Sequence, residues 1–183
     1  MALVRDILSG ISRKINIFLG GRAIEHLWAE ILGWDINYPI TFVIGEGEKI
    51  IPDLILQKCK DTPIYSNGFH KVYLVNKNSS YYPADLNQIY LDRTLFKGRE
   101  ILNKYNRYEA CIIASRGCIY DCAFCGGAVS ANPNITARTR GYNSLANEIN
   151  EIIEICPKVE SIRILDDLFL YNRQSIISAC TLF

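Results

Sequence analysis

Cys118, Cys122 and Cys125 stand four and then three positions apart in RGCIYDCAFCGGA, residues 116–128, directly after the apolar run EACIIAS. Thiolates at this spacing can curl around a single object, because Gly117, Gly126 and Gly127 let the backbone approach closely and take positive φ. A structural zinc site usually takes four protein ligands, commonly as two separated C-x-x-C pairs, and an iron–sulfur cube normally takes one cysteine per iron. Three thiolates on a cube leave one iron open to a chelating substrate or cofactor, so the spacing points to chemistry rather than to stapling. The competing reading is a zinc knuckle: Cys122-Ala-Phe-Cys125 is a common zinc half-site, which Cys111, Cys59 or a histidine would complete. A third reading leaves the thiols free in a vestigial or interaction-only domain.

The elements that must position this loop follow from periodicity. EACIIAS (109–115) reads as a buried strand before it. YNSLANEINEIIEIC (142–156) reads as a helix after it, with Leu145, Ile149, Ile152, Ile153 and Cys156 on one apolar stripe ended by Pro157. ESIRIL (160–165) is a second buried strand, followed by Asp166-Asp167 and a further helix starting near Asn172. The front of the chain repeats this alternation. KINIFLG (14–20), Gly20-Gly21 and RAIEHLWAEIL give strand, turn and helix, with Ile24, Leu27, Trp28, Ile31 and Leu32 on one face. YPITFVI (38–44), GEGE and KIIPDLILQK (49–58) give another such unit, with Pro52 tolerable near the helix start. Two consecutive strand–helix units predict a parallel sheet of the doubly wound kind. Residues 61–108, rich in Asn, Ser, Pro and Tyr, read as a linker with a small hairpin about Asn67-Gly68.

The 183 residues are 49% hydrophobic and 21% charged, an ordinary globular composition, and the formal charge of +1 offers no surface for nucleic acid. No secretory leader and no run of about 18 apolar residues is present, which predicts a cytoplasmic protein with reduced thiols. Cys59, Cys111, Cys156 and Cys180 lie among apolar neighbours and read as small buried hydrophobes.

At the cysteine loop the sequence resembles the radical S-adenosylmethionine enzymes, whose C-x-x-x-C-x-x-C hallmark is matched by Cys118, Cys122 and Cys125, with Phe124 before the last cysteine and Gly126-Gly127 after it. The resemblance implies that the three cysteines hold a [4Fe-4S] cluster, and that S-adenosylmethionine chelates the fourth iron and is cleaved to a 5′-deoxyadenosyl radical. It implies that the side chain or the backbone of Phe124 lies against the adenine. SIRILDDLF resembles a strand whose end helps place the methionine moiety, which makes Asp166 or Asp167 a cofactor-binding carboxylate. Taken alone, those aspartates read equally as a helix N-cap with a solvated neighbour. Arg138 and Arg140 could meet a carboxylate or phosphate, but a solvated face or an ion pair to Glu148 is the commoner assignment.

IFLGG and FVIGEGE are similar to the last two strand–helix units of the cobalamin-binding domain that precedes the radical domain in one branch of this superfamily. The implied fold is α/β: the remnant of a doubly wound, cobalamin-binding-like parallel sheet in residues 1–60, the linker in 61–108, and the first strands and helices of a partial TIM-type barrel in 109–183. Cobalamin is the further cofactor this implies. The chain departs from the branch in lacking the D-x-H-x-x-G loop: His26 falls in an amphipathic helix, and His70 is the only other histidine. Only 65 residues follow Cys118, against about 250 in a full eight-unit barrel. The expectation is therefore a fragment, with an apolar strand edge at 160–165 for a partner chain to cover. A flavodoxin- or ferredoxin-type reductant is implied as a partner, and the substrate, a small molecule or a peptide, is not legible.

Overall fold

The computed structural model describes residues 2–11, 15–36, 38–89, 91–97, 102–130, 133, 136–170 and 172–182. The chain is mixed α/β and divides into two compact units, 1–83 and 84–183.

In the first unit, α1 (Ala2–Ser9) precedes β1 (Ile17–Leu19), α2 (Arg22–Leu32), β2 (Ile40–Gly45), α3 (Ile50–Ile55), β3 (Tyr65–Ser66) and β4 (Lys71–Val75). The sheet order is β1-β2-β4-β3; β1, β2 and β4 run parallel, and β3 is antiparallel to β4. Side chains alternate along β2: Ile40, Phe42 and Ile44 join one core with Leu8 of α1 and Ile24 and Ile31 of α2, whereas Val43 joins another with Ile50 of α3, Tyr73 and Val75. Both faces of the strand are thus covered, which is why ITFVI reads as a continuous apolar run. Pro52 sits at the third residue of α3, among first-turn positions whose N–H groups lack a helical acceptor.

The hairpin forms as expected, but its place differs. Asn67 Oδ1 accepts from the Phe69 and His70 amides, and Gly68 takes φ +83° to turn the chain. β4 then becomes the third parallel strand, pairing Thr41–Gly45 with Lys71–Val75, because Val72 on one face and Tyr73 and Val75 on the other enter the two cores. Residues 61–83 fall within the first compact unit.

In the second unit, β5 (Glu109–Ile112) and β6 (Ser115–Arg116) lead into the cysteine loop, and β7 (Arg138–Thr139), α4 (Tyr142–Ile155), β8 (Ser161–Ile164) and α5 (Arg173–Leu182) follow. β5 and β8 pair in parallel, Glu109 with Ser161 through Ile112 with Ile164, so that β5, α4 and β8 form one strand–helix–strand unit. Ile112, Ala114, Leu145 and Ile152 are its core. Ile153, expected on the same stripe, is 53% exposed. It follows the buried Ile152 and so points about 100° round the helix from it. Asn172 begins α5 by accepting the Ser175 amide on its Oδ1 at 2.8 Å. The aspartates before it therefore do not provide this N-cap.

Candidate metal centre

β5 delivers the chain to the loop, but the expected single strand breaks at Ile113. Arg140 N–H donates to Ala114 O at 2.8 Å, and β6 then pairs antiparallel with β7, Ser115 with Thr139 and Arg116 with Arg138. Entry to and exit from the loop are thus held together. Gly117 has φ +83°, the positive value expected of a glycine there. Gly126 does not need that freedom: its φ is not positive, and a Cβ there would meet nothing within 4 Å.

Cys118 is half-buried, and Cys122 and Cys125 are exposed. Two of the sulfurs accept backbone hydrogen bonds, Cys118 Sγ from Tyr120 N at 3.4 Å and Cys125 Sγ from Gly127 N at 3.3 Å. Cys122 and Cys125 are also joined through their backbones, Cys125 N donating to Cys122 O at 3.0 Å. The base of the loop closes where Val129 N meets Tyr120 O at 3.1 Å, and where Asp121 Oδ1 accepts from the Ser130 hydroxyl at 2.5 Å and its amide at 3.0 Å. Those two bonds, the hydroxyl's first, hold the Asp121 carboxyl below its usual pKa. Phe124 is 94% exposed.

The donor set has the chemistry an iron–sulfur cluster takes: three thiols on one loop, two of whose sulfurs accept amide hydrogen bonds. Among the described residues no group of three or more His, Cys, Asp or Glu side chains is already gathered as for a metal ion. Of the residues proposed to complete a zinc site, Cys111 lies on β5 and Cys59 in the first unit; His26 is exposed on α2, and buried His70 accepts the Ile40 amide on Nδ1 at 3.2 Å. Of the four cysteines expected to be buried, Cys156 is buried, Cys59 and Cys111 are partly so, and Cys180 on α5 is exposed.

The two aspartates differ. Asp166 Oδ1 accepts the Ala114 amide at 2.8 Å, while its Oδ2 is buried without a hydrogen-bond partner. Asp167 is exposed. Arg140 pairs with Glu148, as its sequence position suggested, but Glu148 also holds Arg93, which nothing in the loosely patterned 61–108 stretch had singled out. The three side chains are only 9–12% exposed. Arg93 further donates to Cys111 O at 2.8 Å and Arg140 to Ile113 O at 3.1 Å. Ile112 O accepts Leu165 N from the chain just beyond β8, so the Cys111 and Ile113 carbonyls face the other way and the arginines cap the far edge of β5.

In the first unit a cavity of about 400 Å³ lies at the carboxyl ends of β1 and β2, lined by Gly20, Gly21, Gly45, Gly47 and Glu48 among others. The two glycine turns singled out in the sequence therefore share one site. Comparison with known proteins returned no matching family model. No curated protein and no solved structure matched either.

Proposed function

We propose that this chain is an iron–sulfur protein of the radical S-adenosylmethionine kind, with Cys118, Cys122 and Cys125 as the ligands of a [4Fe-4S] cluster. The observation that carries the reading is the C-x-x-x-C-x-x-C loop placed just beyond the end of β5, with its thiols accessible and two sulfurs already accepting amide hydrogen bonds. When bound, such a cluster with S-adenosylmethionine supplies one-electron cleavage of the sulfonium and hence a 5′-deoxyadenosyl radical. The chain's own part is to hold and to orient. The cysteines bind through thiolate, Phe124 offers its exposed ring to the adenine, and Asp167, exposed just past the end of β8, takes the methionine end. Ligands at the carboxyl ends of parallel strands suit both a barrel and an open sheet, and β5, α4 and β8 would be the first strand–helix–strand unit of a partial barrel.

The substrate class stays open, and a flavodoxin- or ferredoxin-type protein is the proposed electron donor. The glycine-lined cavity of the first unit is where the resemblance would set the nucleotide tail of a cobalamin. The D-x-H-x-x-G loop of that branch is missing from this sequence, so the proposal rests on the cysteine loop alone.

Anaerobic reconstitution with iron and sulfide, followed by electron paramagnetic resonance of the reduced protein with and without S-adenosylmethionine, tests it. The expected result is a brown protein whose signal changes on adding the cofactor, with the colour abolished in Cys122→Ala. A colourless protein holding one zinc ion would establish the zinc-stabilised module instead, and a metal-free protein in a stable hetero-complex would favour an interaction-only domain.

A further inference from the structure

The parallel ladder between β5 and β8 ends where Leu165 N donates to Ile112 O at 2.9 Å. The next amide of the first strand facing that way is Ala114 N, which meets the side chain of Asp166 at 2.8 Å in place of a backbone carbonyl. One residue on, the Ser115 hydroxyl donates to Leu168 O at 2.8 Å. Ala114 and Ser115 are 3% and 1% exposed, and Arg116 and Gly117 alone separate Ser115 from Cys118.

We infer that Asp166 is a positioning residue for the cysteine loop: its carboxylate extends the ladder by one bond and, with Ser115, fixes the chain from which Cys118 departs. Three observations carry this. The bond spans 52 residues of sequence, so it ties two elements and not a local turn. The other oxygen of Asp166, Oδ2, is buried and without a partner, so the carboxylate is held in the protein at the expense of solvation. Asp167, its neighbour, is exposed, so burial at this strand end singles out Asp166. The inference rests on the iron–sulfur reading for its consequence, but the bond itself can be tested without a cluster.

The experiment compares full-length wild type, Asp166→Asn, Asp166→Ala and Ser115→Ala. In the apo-protein, amide exchange at Ala114 and the alkylation rate of Cys118 are followed; after reconstitution, iron content and the change of the paramagnetic signal with S-adenosylmethionine are read. An asparagine keeps an acceptor for Ala114 N, so Asp166→Asn is expected to match wild type in loading and in cofactor response. Asp166→Ala is expected to speed Ala114 exchange and Cys118 alkylation about tenfold, the scale of one lost hydrogen bond to a charged group, and to lose most of its iron. Ser115→Ala should move the same readouts in the same direction, which keeps the test decisive if Asp166→Ala does not fold.

Normal loading of Asp166→Asn with no response to S-adenosylmethionine would make the Asp166 charge a cofactor contact and overturn the positioning role. Unchanged exchange in Asp166→Ala would overturn it too. A wild type that takes up no cluster would sink the proposed function and leave the exchange measurement to decide the bond by itself.

Discussion

Gly45 ends β2 with φ +88°, and a Cβ there would lie 2.2 Å from the Val75 carbonyl oxygen. Backbone cannot yield as a flexible side chain can, so Gly45→Ala combines strain in φ with a clash against the neighbouring strand. The expected cost is about 3 kcal/mol or more, read as a lower denaturant midpoint for the first unit. Gly47 is a milder case, since the nearest atom its Cβ would meet, at 2.7 Å, is the movable end of the Ile51 side chain. Both are glycines of the GEGE turn, yet one is demanded by strand packing and the other is not. Phe124 makes the opposite prediction. An aromatic ring 94% exposed contributes little to folding, so Phe124→Ala should leave stability and cluster content unchanged. Loss of stacking against an adenine would weaken S-adenosylmethionine binding by about tenfold or more, measured by titrating the paramagnetic signal.

Among the elements, α4 is tied to β5 by charge as well as by its apolar stripe. Glu148 on α4 receives Arg93 from the short 3₁₀ turn Arg93–Phe96 and Arg140 from the lead into the helix, and both arginines also hold carbonyls on the far edge of β5. Removing the single carboxylate leaves two guanidinium groups facing each other with little water. Glu148→Ala is therefore expected to destabilise the second unit by about 3–5 kcal/mol, seen in chemical unfolding, even though the same pair on a surface would matter little. With one edge of β5 capped in this way, the free side of its two-stranded sheet is at β8, where no further strand pairs among the described residues. A chain completing the sheet would add there. Glu109 and Arg163 pair at 2.8 Å diagonally across the two strands.

For the whole molecule, the two units carry separate cores, and both tryptophans, Trp28 and Trp34, lie in the first. Tryptophan emission thus reports the first unit. Within it, burial lowers the pKa of His70 from 6.5, and its Nδ1 is the acceptor for the Ile40 amide, so the neutral ring is the form that fits. In that window the unfolded chain binds the proton more readily than the folded one. The contribution is fully present above pH 6.5 and is lost as pH falls from there through the lower folded value. The emission-monitored midpoint should fall over that range, and His70→Ala should lower the midpoint at neutral pH while flattening this step. A midpoint flat between pH 7 and 5 in the wild type would show that His70 is not held neutral. No helix among the described residues is long and apolar enough to cross a membrane.

The sequence by itself determined most of the strands and helices and where the cysteines cluster. Periods of two and of about three and a half residues marked β1, α2, β2, α3, β5, α4, β8 and α5, because burying one face forces those repeats on the chain, and the cysteine spacing set three thiols on one loop since residues close in sequence remain close in space. Tertiary structure decided what depends on distant partners. That Val72, Tyr73 and Val75 form a third parallel strand was hidden because a short strand in a polar stretch shows its worth only when β2 lies beside it. Arg93 meets Glu148 across 55 residues, and Asp166 meets Ala114 across 52. A buried arginine and an exposed one look alike in sequence, as do an exposed aspartate and one that caps a strand. Only the fold, by bringing one polar atom within hydrogen-bond reach of another and removing water from both, gives them separate roles.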